Sequence, residues 1–291
     1  MYVFLIGTGR CGSTLVHELL ACHPGIGFIS NLEDRAPGLP PVARRSANAF
    51  YREAPASVRG MRGFRYAPSE AYRSLAREVS PTITDPSRDL LAADAIPWLA
   101  ERFQAFFATR AAAARTPVFL HKFTGWPRTG FVTAVLPEAR FINVVRDGRA
   151  VVASGLKTPW WRGHRGPEQW PWGPLPPEYA AEWEASGRSF VLLAGLGWKL
   201  LMDAYATARD LVPAGRWLDV RFEDVLADPR SCFKAMLAHM ELEEERSFVR
   251  ALSGTRFVAG RREAFRHELG PAAVEQLERS LGGHLRRWGY S

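Results

Sequence analysis

Arg10 sits among glycines in the stretch Gly7-Thr8-Gly9-Arg10-Cys11-Gly12-Ser13-Thr14, and two hydroxyls close the run. A guanidinium donates two parallel hydrogen bonds to phosphate or sulfate oxygens. With Ser13 and Thr14 adding donors at the first turn of a helix, the set suits a dianion without a metal. Capping of that helix by Ser13 or Thr14 is the plain structural alternative. It does not account for an Arg flanked by glycines. A second basic stretch, Arg146-Asp147-Gly148-Arg149, is followed by Ser154 eight residues beyond Arg146, about two helical turns along. Arg146 at a strand end and Ser154 on the next helix face could together hold a further phosphate. Two such sites on one sheet imply a ligand with two separated phosphate-like groups.

Other residue types bear on the same chemistry. Lys122 is one of only four lysines in the chain, and it follows His121 at the end of an apolar run. His has an ordinary pKa suited to a general base, although a lone His is more often a core residue. Cys11 has no base partner evident in the sequence and reads as a small loop residue. Gly7-x-Gly9-x-x-Gly12 also satisfies the dinucleotide pattern, with Glu33 or Asp34 about 20 residues on where a ribose-binding acid would stand. An NAD(P)-dependent oxidoreductase is therefore the competing enzyme class. A nucleotide-triphosphate loop is disfavoured, because Ser13 occupies the position of its Lys.

These groups need elements to place them. Residues 2–6 form a short apolar run ending at Gly7, which predicts a strand buried on both faces. Leu15, Val16, Leu19 and Leu20 recur at helical spacing until His23-Pro24-Gly25. A second short strand is expected at 26–29, irregular or broken helix over 36–62, and helix from Pro86 to Ala114. Strands at 117–120 and 140–145 alternate with helices at 129–136 and 147–156. A long helix near 180–211, a strand at 217–222 and helices near 230–240, 245–252 and 271–287 follow. This rhythm predicts a three-layer α/β fold with a mainly parallel central sheet. One domain over residues 1–291 is expected, interrupted by an insertion at about 158–177 that carries four tryptophans.

The chain of 291 residues, 47% hydrophobic and 23% charged, can bury a large core. Its net charge of +8 comes almost wholly from Arg. The arginines are dispersed and no nucleic-acid motif accompanies them, so nucleic acid is not expected as a partner. Three scattered cysteines, Cys11, Cys22 and Cys232, indicate neither a zinc site nor a disulfide scaffold, and a reducing cytoplasm fits them. The opening run has no basic region before it and no cleavage site after it, so no secretory signal is expected. The apolar stretch Phe190 to Ala208 carries Lys199 and Asp203 and reads as a buried helix rather than a membrane span.

In the order of its motifs the chain resembles sulfotransferases that use 3′-phosphoadenosine 5′-phosphosulfate (PAPS). Gly9-Arg10-Cys11-Gly12-Ser13-Thr14 looks like the family's P-loop-like phosphosulfate-binding loop. Val145-Arg146-Asp147-Gly148-Arg149 with Ser154 looks like its 3′-phosphate motif. His121-Lys122 before Pro127 is similar to its Lys-containing strand end. Val220-Arg221-Phe222-Glu223-Asp224 to Pro229, and Gly260-Arg261-Arg262 through Gly289-Tyr290, are similar to its late segments. An Arg in the first loop, with His23-Pro24 after the helix, is more like tyrosylprotein and carbohydrate sulfotransferases. The resemblance implies PAPS as co-substrate with no metal. It places Arg261 with the cofactor-binding residues, Arg10 and Lys122 at the developing charge, and Glu33 as base with His121 as the alternative. It also implies a small-molecule, glycan or peptide acceptor, with the tryptophan segment as an aromatic or apolar wall for it. A non-catalytic nucleotide-binding protein of the same fold is the remaining alternative.

Overall fold

The structure is a computed structural model and describes residues 1–36, 38–61, 63–258 and 263–290. Five strands, β1 (Tyr2–Ile6), β2 (Ile26–Gly27), β3 (Val118–Lys122), β4 (Arg140–Val145) and β5 (Trp217–Arg221), form one sheet in the order β2-β3-β1-β4-β5. Every pairing is parallel. The two-residue pleat sends Val3, Leu5, Leu120, Ile142 and Val144 to one core, and Phe4, Ile6, Phe119, Phe141 and Val145 to the other. Both faces are buried, which is why these strands read as continuous apolar runs rather than as alternating ones.

Fifteen helices fill the layers around the sheet among the described residues. After β1 comes α1 (Ser13–Leu20). Between β2 and β3 lie α2 (Asn31–Arg35), α3 (Pro41–Glu53), α4 (Ala56–Arg59), α5 (Tyr72–Glu78) and α6 (Pro97–Ala114). α7 (Thr129–Val135) links β3 to β4. α8 (Gly148–Gly155), α9 (Pro177–Ala185) and α10 (Phe190–Leu211) separate β4 from β5. α11 (Phe222–Ala227), α12 (Pro229–His239), α13 (Arg246–Ser253), α14 (Ala264–Leu269) and α15 (Pro271–Arg287) close the chain.

The placement of α1 and α8 decides where a ligand can go. Val16, Leu19 and Leu20 of α1 pack on the Val3–Leu5 face, whereas Val152 of α8 joins the Phe4–Ile6 face. The chain thus leaves neighbouring strands β1 and β4 toward opposite sides, and a crevice opens at their carboxyl ends. Open parallel sheets bind ligands at such a switch point.

Several expected boundaries move. The stretch 36–62, expected as irregular or broken helix, is broken helix, made of the 13-residue α3 and the short α4. Pro41 stands in the first turn of α3, where a missing N–H costs nothing, and Ala47, Asn48 and Tyr51 form its buried face. The helix expected from Pro86 begins only at Pro97. The one expected over 180–211 divides at Gly187 and Arg188, whose φ angles are 69° and 62°, and restarts where Ser189 accepts from the Leu192 amide. The second strand shrinks to two residues. α10 is long and apolar enough to cross a membrane by composition, but Leu193, Leu196, Trp198, Leu201, Met202 and Tyr205 are almost wholly buried in the protein core. In the tryptophan segment Trp161 and Trp170 are buried. Trp172 stands against Gly125 and Gly197, so three of the four tryptophans pack on the domain, and Trp160 is half-exposed.

α8 crosses α10 at Gly148, where a Cβ would lie 2.7 Å from the Trp198 ring. A rigid indole cannot yield that space cheaply. Gly148→Ala is expected to cost about 1–3 kcal/mol of stability by overpacking, read as a lower urea midpoint at unchanged slope.

Candidate functional site

The chain turns sharply after β1. Arg10 has a φ of 53° and Gly12 one of 92°, left-handed values that an ordinary residue adopts only at a cost. At Gly12 no side chain would fit in any case, because a Cβ would fall 2.2 Å from the Phe222 ring. Cys11 points inward, fully buried, with its Sγ 2.5 Å from the place a Gly7 Cβ would occupy. Gly12 is the N-cap of α1 and no side chain caps the helix. Ser13 and Thr14 therefore do not serve as caps, and the first amides of α1 remain open to an anion.

The second motif is latched from behind. Asp147 caps α8 by accepting from the Arg149 amide at 2.9 Å, and it pairs with the Arg149 guanidinium at 2.7 Å. Arg149 also reaches Glu278 at 2.6 Å, so its charge is balanced inside the protein. The Asp147 amide donates to Glu223 at 3.2 Å, and the Tyr290 hydroxyl donates to the other Glu223 oxygen at 2.8 Å. Arg146, in contrast, faces forward. Its guanidinium lies over the Phe222 ring at 5.3 Å and donates to the Arg10 carbonyl at 2.9 Å. Arg10 Nε in turn donates to Ser154 Oγ at 3.0 Å.

These contacts join the two sequence motifs around one cavity of about 720 Å³, lined by Gly9, Arg10, Gly12, Ser13, Thr14, Arg146 and Ser154 on one side. A smaller cavity of about 270 Å³ shares Arg10, Arg146 and Ser154 and extends toward Lys157 and Phe265. Glu70, Tyr72, Thr124 and the half-exposed Trp160 complete the larger one. Lys122 lies just behind that wall, donating to Thr14 Oγ1 at 2.8 Å and pairing with Glu70 at 3.0 Å. Thr124 donates to the second Glu70 oxygen at 2.8 Å, and Tyr72 meets Thr124 at 3.1 Å. Burial pushes the Glu70 carboxyl up, but the Lys122 charge and hydrogen bonds from Tyr72, Lys122 and Thr124 outweigh it, and its pKa falls below the ordinary value. Glu70 is thus an ionised carboxylate in the cavity wall, with a quarter of its side chain exposed.

Neither expected base lines this cavity. Glu33 is buried, 2.9 Å from Arg110 and 3.3 Å from Arg44, in an ion cluster between α2, α3 and α6. Asp34 is held by the amide and hydroxyl of Ser74 at 2.8 and 2.9 Å. Glu33 and Asp34, either of which the dinucleotide pattern could use, are therefore both engaged in holding helices together. His121 and Lys122 are neighbours in sequence, but the pleat turns them to opposite faces. His121 sits among Phe4, Phe107 and Phe123, and among the described residues neither ring nitrogen has a hydrogen-bond partner. Arg261 lies outside the described residues. Glu70, Tyr72 and Thr124 went unnoticed in the sequence. Only Thr124 left a signal, standing two residues beyond Lys122 and so on the same side of the strand end.

The sulfotransferase family model matches residues 3–246. The chain belongs to the sulfotransferase family. No curated protein sequence matches closely enough to count as a relative. Among solved structures, this sulfotransferase is similar to sulfotransferase STF9 from Mycobacterium avium at 12% identity and a TM-score of 0.59, over 99% of this chain and 77% of that one. It is also similar to the sulfotransferase domain of the Synechococcus PCC 7002 olefin synthase, at 16% identity and a TM-score of 0.54, over 96% and 93% of the two chains. A sulfotransferase domain from the curacin biosynthetic pathway matches at 12% identity and a TM-score of 0.53, over 96% of each. At such identities the likeness is one of fold, and it agrees with the parallel α/β sheet.

Burial holds the pKa of His121 down at about 3, against an ordinary value of about 6.5. Below about pH 6.5 the unfolded sulfotransferase takes up a proton that the folded one refuses, so this group's contribution falls away down to about pH 3, by up to about 1.4 kcal/mol per pH unit. In His121→Leu that component is absent. The stability of the variant relative to the wild type is expected to rise steadily as denaturant titrations move from pH 7 to pH 4, and a constant difference would contradict the assignment.

Proposed function

We propose that this sulfotransferase uses PAPS as donor and transfers its sulfuryl group to a hydroxyl of a small-molecule, glycan or peptide acceptor, releasing adenosine 3′,5′-bisphosphate. The observation that carries the proposal is the bridge from Arg10 to Ser154 and from Arg146 to the Arg10 carbonyl. It brings two cationic motifs, 136 residues apart, to adjoining cavities. A donor with a phosphosulfate at one end and a separate phosphate on its ribose matches that spacing of charge. The open amides of α1, Ser13 and Arg10 suit the phosphosulfate; Arg146 and Ser154 suit the 3′-phosphate.

In the reaction a bond forms from the acceptor oxygen to sulfur while the bond from sulfur to the bridging phosphate oxygen breaks. The acceptor proton must leave and charge builds on the bridging oxygen. We assign the proton to Glu70, the ionised carboxylate of the cavity wall, in place of Glu33 and His121. Lys122 and Arg10 neutralise the developing charge from two sides. Before substrates arrive, Glu70 holds Lys122 and limits the repulsion between it and the nearby guanidinium groups. Tyr72 and Thr124 keep the carboxylate pointed inward. Trp160, exposed at the rim, supports an aromatic or apolar portion of the acceptor. Three free thiols, Cys11, Cys22 and Cys232, suit a reducing cytoplasm.

Adenosine 3′,5′-bisphosphate is expected to raise the melting temperature without magnesium, and adenosine 5′-phosphate far less. Equal shifts would remove Arg146 and Ser154 from recognition of the 3′-phosphate, and a preference for NAD would restore the dinucleotide alternative.

Once labelled PAPS has identified an acceptor, Glu70→Gln should keep near-normal affinity for the bisphosphate while lowering turnover by about 10²–10⁴. Full activity in that variant would place the base elsewhere. Bisphosphate binding with no transfer to any acceptor would favour the non-catalytic alternative.

A further inference from the structure

A second group of cations gathers at the other end of α1. Arg52 at the end of α3, Arg59 at the end of α4 and Arg250 on α13 line a cavity of about 430 Å³, together with Cys22, Glu53 and Ser247. α1 has eight residues, so this cavity lies about 12 Å of helix away from the loop at Arg10. Its lining includes Cys22 and Pro24, between the end of α1 and the start of β2, whereas the transfer cavity lies at the carboxyl ends of the strands.

Several buried cations elsewhere in the protein have acidic partners, although Arg128 is held by the backbone carbonyls of Ile83, Thr124, Trp126 and Asp85. Arg110 faces Glu33 and Glu78, Arg149 faces Asp147 and Glu278, and Lys199 faces Glu182. Among the described residues, Arg52, Arg59 and Arg250 have no carboxylate oxygen within 4.0 Å. Arg52 is pinned by one nitrogen to the Ile26 carbonyl, and its Nε is buried without an acceptor. Arg59 is tied to the Arg52 carbonyl at 3.2 Å. Two guanidinium groups are thus held in place by backbone oxygens, with donors left over. Like charges gathered around a cavity repel one another unless an anion joins them. Glu53 is the one carboxylate in the lining and leaves the set at a net positive charge.

We infer that this cavity is a second anion site, built for a phosphate or sulfate oxyanion, free or as the end of a small monoester. Fixed forks with unspent donors are what such oxygens require, and Arg supplies them with little further ordering. The volume falls within the range of about 300–1,000 Å³ found for small-molecule pockets, larger than an oxyanion alone needs.

The test is calorimetric titration of the full chain carrying Arg10→Ala and Arg146→Ala, which disables the transfer cavity, with inorganic phosphate and with phenyl phosphate as probes. Saturable binding of at least one probe should persist in this background. Adding Arg59→Ala and Arg250→Ala should weaken it at least tenfold, as expected for the loss of charge-assisted hydrogen bonds worth about 1.5–3 kcal/mol. Glu53→Gln should tighten it. Tighter binding of phenyl phosphate would identify the monoester as the natural form, and equal binding the free oxyanion. Absence of saturable binding, or undiminished binding without Arg59 and Arg250, would overturn the inference. If circular dichroism shows that the combined variant does not fold, Arg250→Gln on an exposed helix face carries the same expectation alone.

Discussion

Three cations, Arg10, Arg146 and Lys122, stand close together around one cavity. Their mutual repulsion is the constraint that the surrounding structure answers. Arg146 is drawn to the carbonyl of Arg10 and rests on the Phe222 ring. The carbonyl is available there because Arg10 adopts a left-handed conformation between Gly9 and Gly12. Ser154 receives the Arg10 side chain, and Glu70 neutralises Lys122. The parallel sheet, with β1 and β4 side by side and their helices leaving toward opposite faces, is the arrangement that brings these groups to one edge.

The carboxylates divide by burial and by partner. Asp147 and Glu223 face inward, tying the second motif to Arg149 and to Tyr290 near the end of the chain. Glu33 is enclosed by Arg44 and Arg110 and fastens helices. Glu70 alone among these four reaches the cavity, and its cationic partner Lys122 also donates to Thr14 at the start of α1. An acid becomes available for chemistry here through where its partner stands rather than through its identity.

Much of this was legible in the residues. Gly9-Arg10 with Ser13-Thr14, and Arg146 with Ser154, stood out because guanidinium, hydroxyl and glycine in such order have few structural uses, and the fold brings them to one cavity. The core strands were legible as unbroken apolar runs. α3 was legible only as part of an irregular or broken helix, since its Pro- and Arg-rich composition hides a narrow buried face of Ala47, Asn48 and Tyr51. Glu70 was hidden for a different reason. Its relation to Lys122 spans 52 positions and exists only because the segment before α5 passes over the end of β3. His121 was misjudged through proximity in sequence to Lys122, a proximity that the pleat of a strand reverses in space.

The outer strands bear on how the protein behaves at high concentration. β2 is two residues long, and a Cβ on its Gly27 would press on Ala114 and Thr116, so that edge is both brief and covered. β5 borders the other side and carries Asp219 and Arg221. Asp219 is engaged by Asn143 and Trp217, and charged side chains along an outer strand discourage another chain from extending the ladder. A sheet whose interior strands are this apolar would otherwise be a template for edge-to-edge aggregation. Brevity at one border and charge at the other work against such pairing of so hydrophobic a sheet.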